Sequence, residues 1–129
     1  MKELTVYHST TLEKAHQILK EGFKAGVVGR FGGGIYFFEQ LLDAQIYRSG
    51  NSKIVVATLP SDQLLRLDYL SLRTIHPELD LNWEEEEGWP GLKEWVLNQG
   101  YLAISLRYLD ETCEVVVYDS ALIQSIGLI

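Results

Sequence analysis

Three short clusters of residues, far apart in the chain, carry side chains that could do chemistry. They are Tyr-His-Ser-Thr at 7–10, a glycine-rich and aromatic run at 32–38, and Glu-Val-Val-Val-Tyr-Asp at 114–119. The second cluster contains Tyr36, and Tyr47 follows eleven residues later. An imidazole hydrogen-bonds through a donor and an acceptor nitrogen, tyrosine rings stack, and a carboxylate stabilises a developing positive charge.

Taken singly, each cluster also has an ordinary structural interpretation. A histidine at a strand end is commonly a capped or core residue, and a glycine run is typical of a turn that needs positive φ. The run is not a P-loop, because no Gly-Lys-Ser/Thr follows, and not a Rossmann fingerprint, because a strand follows it. The three histidines and Cys113 have no metal-ligand spacing, so no metal site is expected.

In their order along the chain, the clusters resemble the His-Tyr-Glu signature of the poly(ADP-ribose) polymerase branch of diphtheria-toxin-like ADP-ribosyltransferases. That branch typically shows Tyr-His-Gly-Ser/Thr, then Gly-x-Gly-Ile-Tyr-Phe with a second tyrosine eleven residues on, then Glu-x-x-Val-Tyr-Asp. The sequence Gly-Gly-Gly-Ile-Tyr-Phe at 32–37 matches the middle motif. The helix ending Ile-Leu-Lys-Glu-Gly-Phe at 18–23 is also similar, whereas residues 62–89 lie outside the resemblance.

The resemblance implies a role for each signature residue in binding NAD⁺. His8 would hydrogen-bond the adenosine ribose, and the backbone of Ser9 would bind the nicotinamide amide. Tyr36 and Tyr47 would stack on the two faces of the nicotinamide ring. Glu114 would hold the 2′-hydroxyl of the nicotinamide ribose and stabilise the positive charge that develops as nicotinamide leaves. His8, Tyr36 and Glu114 are thus the expected catalytic set.

Some positions depart from the family pattern or extend it. Gly34 of the middle motif is assigned to the NAD⁺ site with the other matches. Ser9 replaces the usual glycine, and Ala44 stands where many relatives have a serine that bonds the nicotinamide amide. Ala44 is therefore expected to line the pocket with one contact fewer. Thr112 occupies the position where arginine-modifying relatives carry Glu or Gln, so the resemblance does not support arginine specificity.

The elements that must position these residues follow from periodicity and from start and stop signals. Strands are predicted where apolar residues run or alternate, at 4–8, 35–38, 53–59, 101–106, 114–118 and 125–129. A helix with an apolar stripe begins at the capping box of residues 10–13 and stops at Gly22, and others are predicted at 40–48 and from Leu92 to Gly100. Residues 61–90, with the acidic run 84–87, are expected to be irregular.

Few helices and scattered strands without β-α alternation favour an α+β fold. The resemblance narrows this to a split β-sandwich of two antiparallel sheets with flanking helices and the NAD⁺ cleft between them. The length of 129 residues fits a single catalytic domain, 1–129.

Composition limits the cellular location and the binding partners that can be expected. The net charge of −7 opposes non-specific binding to phosphate backbones. No apolar run is long enough to span a membrane, and no secretory signal is evident. The single cysteine excludes an intrachain disulfide, so a cytoplasmic location is expected.

The expected function is transfer of one ADP-ribose from NAD⁺ to an unidentified protein, nucleic acid or small-molecule acceptor, releasing nicotinamide. A toxin, a defence effector and a drug-inactivating enzyme all fit this activity, and a toxin would be expected to have an inhibitory partner protein. Two alternatives remain at this stage. One is an NAD⁺ glycohydrolase, and the other is a catalytically weak module that binds NAD⁺ or ADP-ribose and acts through a partner.

Overall fold

A computed structural model of the chain describes residues 2–27, 29–47, 52–77, 89 and 91–129, without the side chains of residues 47 and 52. The strands are β1 (Glu3–Thr11), β2 (Ile35–Phe38), β3 (Ser52–Pro60), β4 (Leu64–Asp68), β5 (Ala103–Arg107), β6 (Cys113–Val117) and β7 (Ser125–Leu128). The helices are α1 (Leu12–Glu21), α2 (Leu41–Tyr47), α3 (Tyr69–Ile75) and α4 (Leu92–Asn98). Short 3₁₀ turns cover Ser61–Gln63 and Ser120–Leu122.

The described strands form one mixed sheet in the order β4-β5-β6-β2-β1-β3-β7. The α+β class is confirmed. The structure differs from the predicted pair of antiparallel sheets in two ways. A pairing of Tyr7 with Phe38 joins β1 to β2, so the strands form one sheet, and β4 runs parallel to β5. Parallel neighbours need a crossover connection, and this one contains α3 and α4.

Each face of the sheet carries its own hydrophobic core. Side chains alternate along β6, so Val115 and Val117 face one core and Val116 faces the other. The first core lies under α1 and includes Val6 of β1 and Phe37 of β2. The second core is covered by α3 and α4. Because both faces are covered, the strands at the centre of the sheet are rigidly held.

Local signals explain the start and end of α1. The side chain of Thr11 accepts a hydrogen bond from the backbone N–H of Lys14 at 3.2 Å, so the N-cap is Thr11, one residue after the start of the predicted capping box. The helix stops where the N–H of Gly22 donates to the carbonyl of Ile18 at 2.7 Å. Ala15 is fully buried in the first core. The helix thereby follows directly from the strand that carries His8.

Residues 61–75, predicted to be irregular, form a 3₁₀ turn, β4 and α3. Leu64 and Tyr69 are buried, and Leu72 is fully inaccessible. The acidic run 84–87 lies outside the described residues.

Candidate functional site

A cleft of about 840 Å³ opens where β1 and β2 separate. Within the described residues the two strands pair at Tyr7 and Phe38, and the cleft lies beyond that pair. Five segments line it: the end of β1, the loop before β2, β2 itself, α2 and the β5–β6 hairpin. The lining residues are His8, Ser9, Gly29, Arg30, Tyr36, Phe37, Phe38, Asp43, Ile46, Tyr108, Asp110, Thr112 and Glu114. Residues from all three sequence clusters therefore meet in one cavity.

His8 bridges the two separating strands. Its Nδ1 lies 2.7 Å from the carbonyl oxygen of Tyr36, and because a carbonyl only accepts, Nδ1 carries the proton. The ring makes edge contacts with Phe23 and Phe37, at centroid distances of 5.3 and 5.7 Å. Burial lowers the pKa of His8, against the raising effect of the Tyr36 carbonyl. The neutral ring therefore has Nε2 as a hydrogen-bond acceptor.

Tyr36 forms one wall of the cleft and also fastens the loop that precedes it. Its hydroxyl accepts from the N–H of Phe31 at 2.9 Å and donates to the carbonyl of Gly32 at 2.7 Å. The hydroxyl of Tyr118 donates to the carbonyl of Phe31 at 2.7 Å. Two tyrosines thus bond both backbone groups of Phe31, which is 1% exposed. The neighbouring Arg30 is held at the cleft as a result.

The loop contains the glycine run of the second cluster. Gly32 has φ +95°, so the expected turn with positive φ is confirmed there.

Glu114 lies on β6, on the same face as Tyr36. Glu114 pairs with Phe38 and Tyr36 pairs with Val116, so Glu114 and Tyr36 are diagonal neighbours on adjacent strands. The hydroxyl of Tyr108 donates to Oε1 of Glu114 at 2.7 Å. Burial raises the pKa of Glu114, while the bond from Tyr108 and the charge of Arg30 act in the opposite direction. The site therefore holds a carboxylate that is withdrawn from water.

Several cleft residues were not found by sequence reasoning. Arg30 was not singled out from the sequence, and nothing local marks it as a cleft cation. Tyr108 and Asp110 lie in the short connection between the strands predicted at 101–106 and 114–118, and that connection was the one available signal for them. Asp43, on α2, lines the cleft and directly precedes Ala44, the residue that was expected to line it.

Other predicted site residues have different outcomes. Ser9 lines the cleft. Ala44 is fully buried and Gly34 is buried, and neither is among the described residues that line the cleft. A side chain at Gly34 would place Cβ 2.8 Å from the carbonyl oxygen of Val117, so the glycine allows β2 to approach β6. The side chain of Tyr47 lies outside the described residues.

A charged cluster lies at the corner between β2 and α2. Both carboxylate oxygens of Glu39 lie 3.2 Å from Nη1 of Arg66, and the hydroxyl of Ser105 donates to the same carboxylate. The N–H of Glu39 also donates to the carbonyl of Cys113 at 3.1 Å. Burial raises the pKa of the Cys113 thiol, which keeps it protonated. This cluster ties the end of β2 to β4, β5 and β6.

None of the described helices is long and apolar enough to cross a membrane. In the part of the chain that the structure describes, no three His, Cys, Asp or Glu side chains are grouped so that they could hold a metal ion. Neither a scan against protein-family models nor a search of curated proteins gives a match for this chain.

Proposed function

We propose that the protein transfers a single ADP-ribose unit from NAD⁺ to an acceptor and releases nicotinamide. One observation carries the proposal: His8, Tyr36 and Glu114, predicted from three distant motifs, all line one cleft. The volume of about 840 Å³ lies within the range of small-molecule and cofactor sites. The resemblance to ADP-ribosyltransferases indicates NAD⁺ as the substrate. The cleft residues provide the groups that would bind it and act on it.

The residues of the cleft match the groups that NAD⁺ presents. Neutral His8, whose Nδ1 donates to the Tyr36 carbonyl, would accept a hydrogen bond from a ribose hydroxyl at Nε2. The ring of Tyr36 would stack on nicotinamide, since its hydroxyl is already engaged in the loop. The guanidinium of Arg30 provides a positive charge for the pyrophosphate. Tyr47 remains the proposed second stacking residue.

Glu114 would act on the bond that breaks. As the bond between ribose C1′ and the nicotinamide nitrogen breaks, its electron pair leaves with nicotinamide and positive charge develops on the ribose. A carboxylate that accepts a hydrogen bond from the 2′-hydroxyl stabilises this oxocarbenium-like state. Burial strengthens the attraction between the carboxylate and the developing positive charge. A lone pair of the acceptor then forms the new bond to C1′, and the acceptor proton passes to Glu114 or to solvent. Water as acceptor would give free ADP-ribose.

The arrangement of the strands also supports the proposal. In ADP-ribosyltransferases the NAD⁺ cleft lies where the sheet splits, and here the cleft lies where β1 and β2 diverge after Tyr7 and Phe38. We propose that β1-β3-β7 and β4-β5-β6-β2 correspond to the two halves of that split sandwich.

The test is incubation of the protein with labelled NAD⁺ and separate pools of cell lysate, nucleic acid and small molecules. Mass spectrometry should find one ADP-ribose per modified site, together with free nicotinamide. Glu114→Gln should lower turnover at least about a hundredfold while NAD⁺ binding survives, because the lost charge acts mainly in the transition state. Glu111→Gln is the matched control, since Glu111 is exposed on the same hairpin and should leave turnover unchanged.

The outcomes separate the alternatives. Labelled ADP-ribose without any modified acceptor would identify an NAD⁺ glycohydrolase. Tight NAD⁺ binding without nicotinamide release would identify a binding module. Equal turnover in Glu114→Gln and wild type would exclude Glu114 as the catalytic carboxylate.

A further inference from the structure

Tyr108 stands directly behind the carboxylate of Glu114. Its hydroxyl donates to Oε1 at 2.7 Å, and its side chain is 8% exposed. Within the described residues, this is the hydrogen bond that the Glu114 carboxylate makes. Oε2 makes no hydrogen bond within the described residues and is available to accept one from a substrate hydroxyl.

Tyr108 is fixed both through its ring and through its backbone. The aromatic ring of Tyr69, on α3, packs against it at a centroid distance of 5.7 Å, and Tyr69 is 1% exposed. The backbone of Tyr108 closes the hairpin, because its N–H donates to the carbonyl of Thr112 at 2.9 Å and its carbonyl accepts from Glu111 at 3.0 Å. Glu111 has φ +71°, which fixes the shape of this turn. The hydroxyl is therefore presented to Glu114 by a rigid frame.

We infer that Tyr108 is a positioning residue, which orients the Glu114 carboxylate and keeps it ionised for the reaction. The inference rests on the proposed function, because it assigns Tyr108 a part in that same chemistry. A hydrogen bond to an ionised acceptor is stronger than one to a neutral group, so the bond favours the charged form of Glu114. It also fixes which carboxylate oxygen meets the substrate.

The charged and titratable groups around Glu114 come from several elements. Arg30 acts on its pKa from the loop before β2, and the Tyr36 and Tyr118 phenols interact with its charge from β2 and from the end of β6. The side chains of His8, Asp43 and Asp110 line the same cleft. Burial raises the pKa of the Tyr108 phenol, so Tyr108 stays a donor throughout the working pH range.

Tyr108→Phe tests the inference, because it removes the hydroxyl and keeps the ring that packs on Tyr69. Turnover should fall roughly tenfold with little change in KM for NAD⁺, the pattern of a lost contact in the transition state. The pKa of Glu114 should rise when the bond from Tyr108 is lost. The acidic limb of the plot of turnover against pH should therefore move to higher pH by about one unit, since one pKa unit corresponds to a tenfold change in ionisation. Tyr101→Phe is the matched control, since Tyr101 packs against the second core and is not among the described residues that line the cleft, and its acidic limb should not move.

A second measurement needs no activity. Titration of the Glu114 carboxyl by carbon NMR should give a higher pKa in Tyr108→Phe than in wild type, and an unchanged value in Tyr101→Phe. An unchanged pKa in Tyr108→Phe would overturn the inference. A raised pKa without a shift of the activity profile would instead mean that Glu114 does not act in the reaction, which is a failure of the proposed function. In wild type, a Tyr108 hydroxyl proton that exchanges as fast as that of a free phenol would also overturn the inference.

Discussion

At the residue scale, burial acts on the two ionisable signature residues in opposite directions. It lowers the pKa of His8 and raises the pKa of Glu114, because desolvation disfavours the charged form of each. For His8 the neutral form is the useful one, since Nε2 must accept a hydrogen bond from a ribose hydroxyl. For Glu114 the charged form is the useful one. Burial favours the protonated form, and the bond from Tyr108 and the charge of Arg30 favour the ionised form.

The buried carboxylate of Glu114 should therefore lower stability at neutral pH. Its folded-state pKa lies above the ordinary 4.5, so its contribution to stability is fully present below pH 4.5 and is lost as pH rises through the folded-state pKa. We expect Glu114→Gln to have a higher Tm than wild type at pH 8, with the difference vanishing near pH 4. Calorimetric scans at both pH values measure this. A lower Tm at pH 8 would mean that the contacts with Tyr108 and Arg30 outweigh the desolvation.

Ala44→Ser is a second test at this scale. The family pattern would predict a new contact to nicotinamide, but Ala44 is fully buried and is not among the described residues that line the cleft. We expect unchanged nicotinamide affinity and a stability loss of about 1–2 kcal/mol, because an added hydroxyl is buried against its neighbours. Calorimetric titration and urea unfolding measure the two effects. Nicotinamide binding that tightens severalfold would place residue 44 at the pocket after all.

At the scale of elements, the β2–β6 pair sets the distance between Tyr36 and Glu114. Gly34→Ala would bring Cβ to 2.8 Å from the carbonyl oxygen of Val117 and 3.0 Å from Cγ1 of Val116. We expect a loss of at least about 2 kcal/mol in the free energy of unfolding, because the first of these atoms is backbone and cannot swing away.

Gly127→Ala is the control for Gly34→Ala. Its Cβ would meet a flexible side chain, Cγ1 of Val56, at 3.3 Å. Urea unfolding of both variants should show the larger loss for Gly34→Ala. Equal losses would mean that β6 can shift and that the close approach of the two strands is not required.

The sequence predicts the elements whose evidence is local. Helix α1 and strands β1 to β3 follow from apolar periodicity and from signals such as Thr11 and Gly22, within three residues at their ends, and the bounds of β2 agree fully. Strand β6 begins at Cys113, one residue before the predicted start. These elements also carry His8, Tyr36 and Glu114, so the motif residues of the site could be predicted.

Features that depend on distant contacts could not be predicted in the same way. Strand β4 pairs in parallel with β5, which lies more than thirty residues further along the chain, and no local pattern records such a pairing. Arg30 reaches the cleft because two tyrosine hydroxyls hold Phe31, one of them from Tyr118. Tyr108 could have been placed beside Glu114 by counting back from the hairpin turn, since the turn sets the register.

At the scale of the whole molecule, the first core joins the two halves of the sheet. It includes Val6 and Val55 from one half and Phe37 and Val115 from the other. We therefore expect one cooperative unfolding transition, in agreement with a single domain. Far-UV circular dichroism and tryptophan fluorescence, to which Trp95 contributes, should give coincident urea midpoints. Fluorescence that changes before the circular dichroism would show that the side with α4 opens independently.

The hydrogen bond from His8 to the Tyr36 carbonyl links the width of the cleft to the polarity of its wall. If β1 and β2 continued to pair beyond Tyr7 and Phe38, backbone amides would bond across them and the strands would lie about 4.8 Å apart. Instead an imidazole supplies the donor, and its length acts as a spacer between the strands. A shorter donor at position 8 would draw the strands together, and an apolar residue would leave the Tyr36 carbonyl without this partner. The same side chain thus determines the width of the opening and the polarity of its wall, and neither property can change alone.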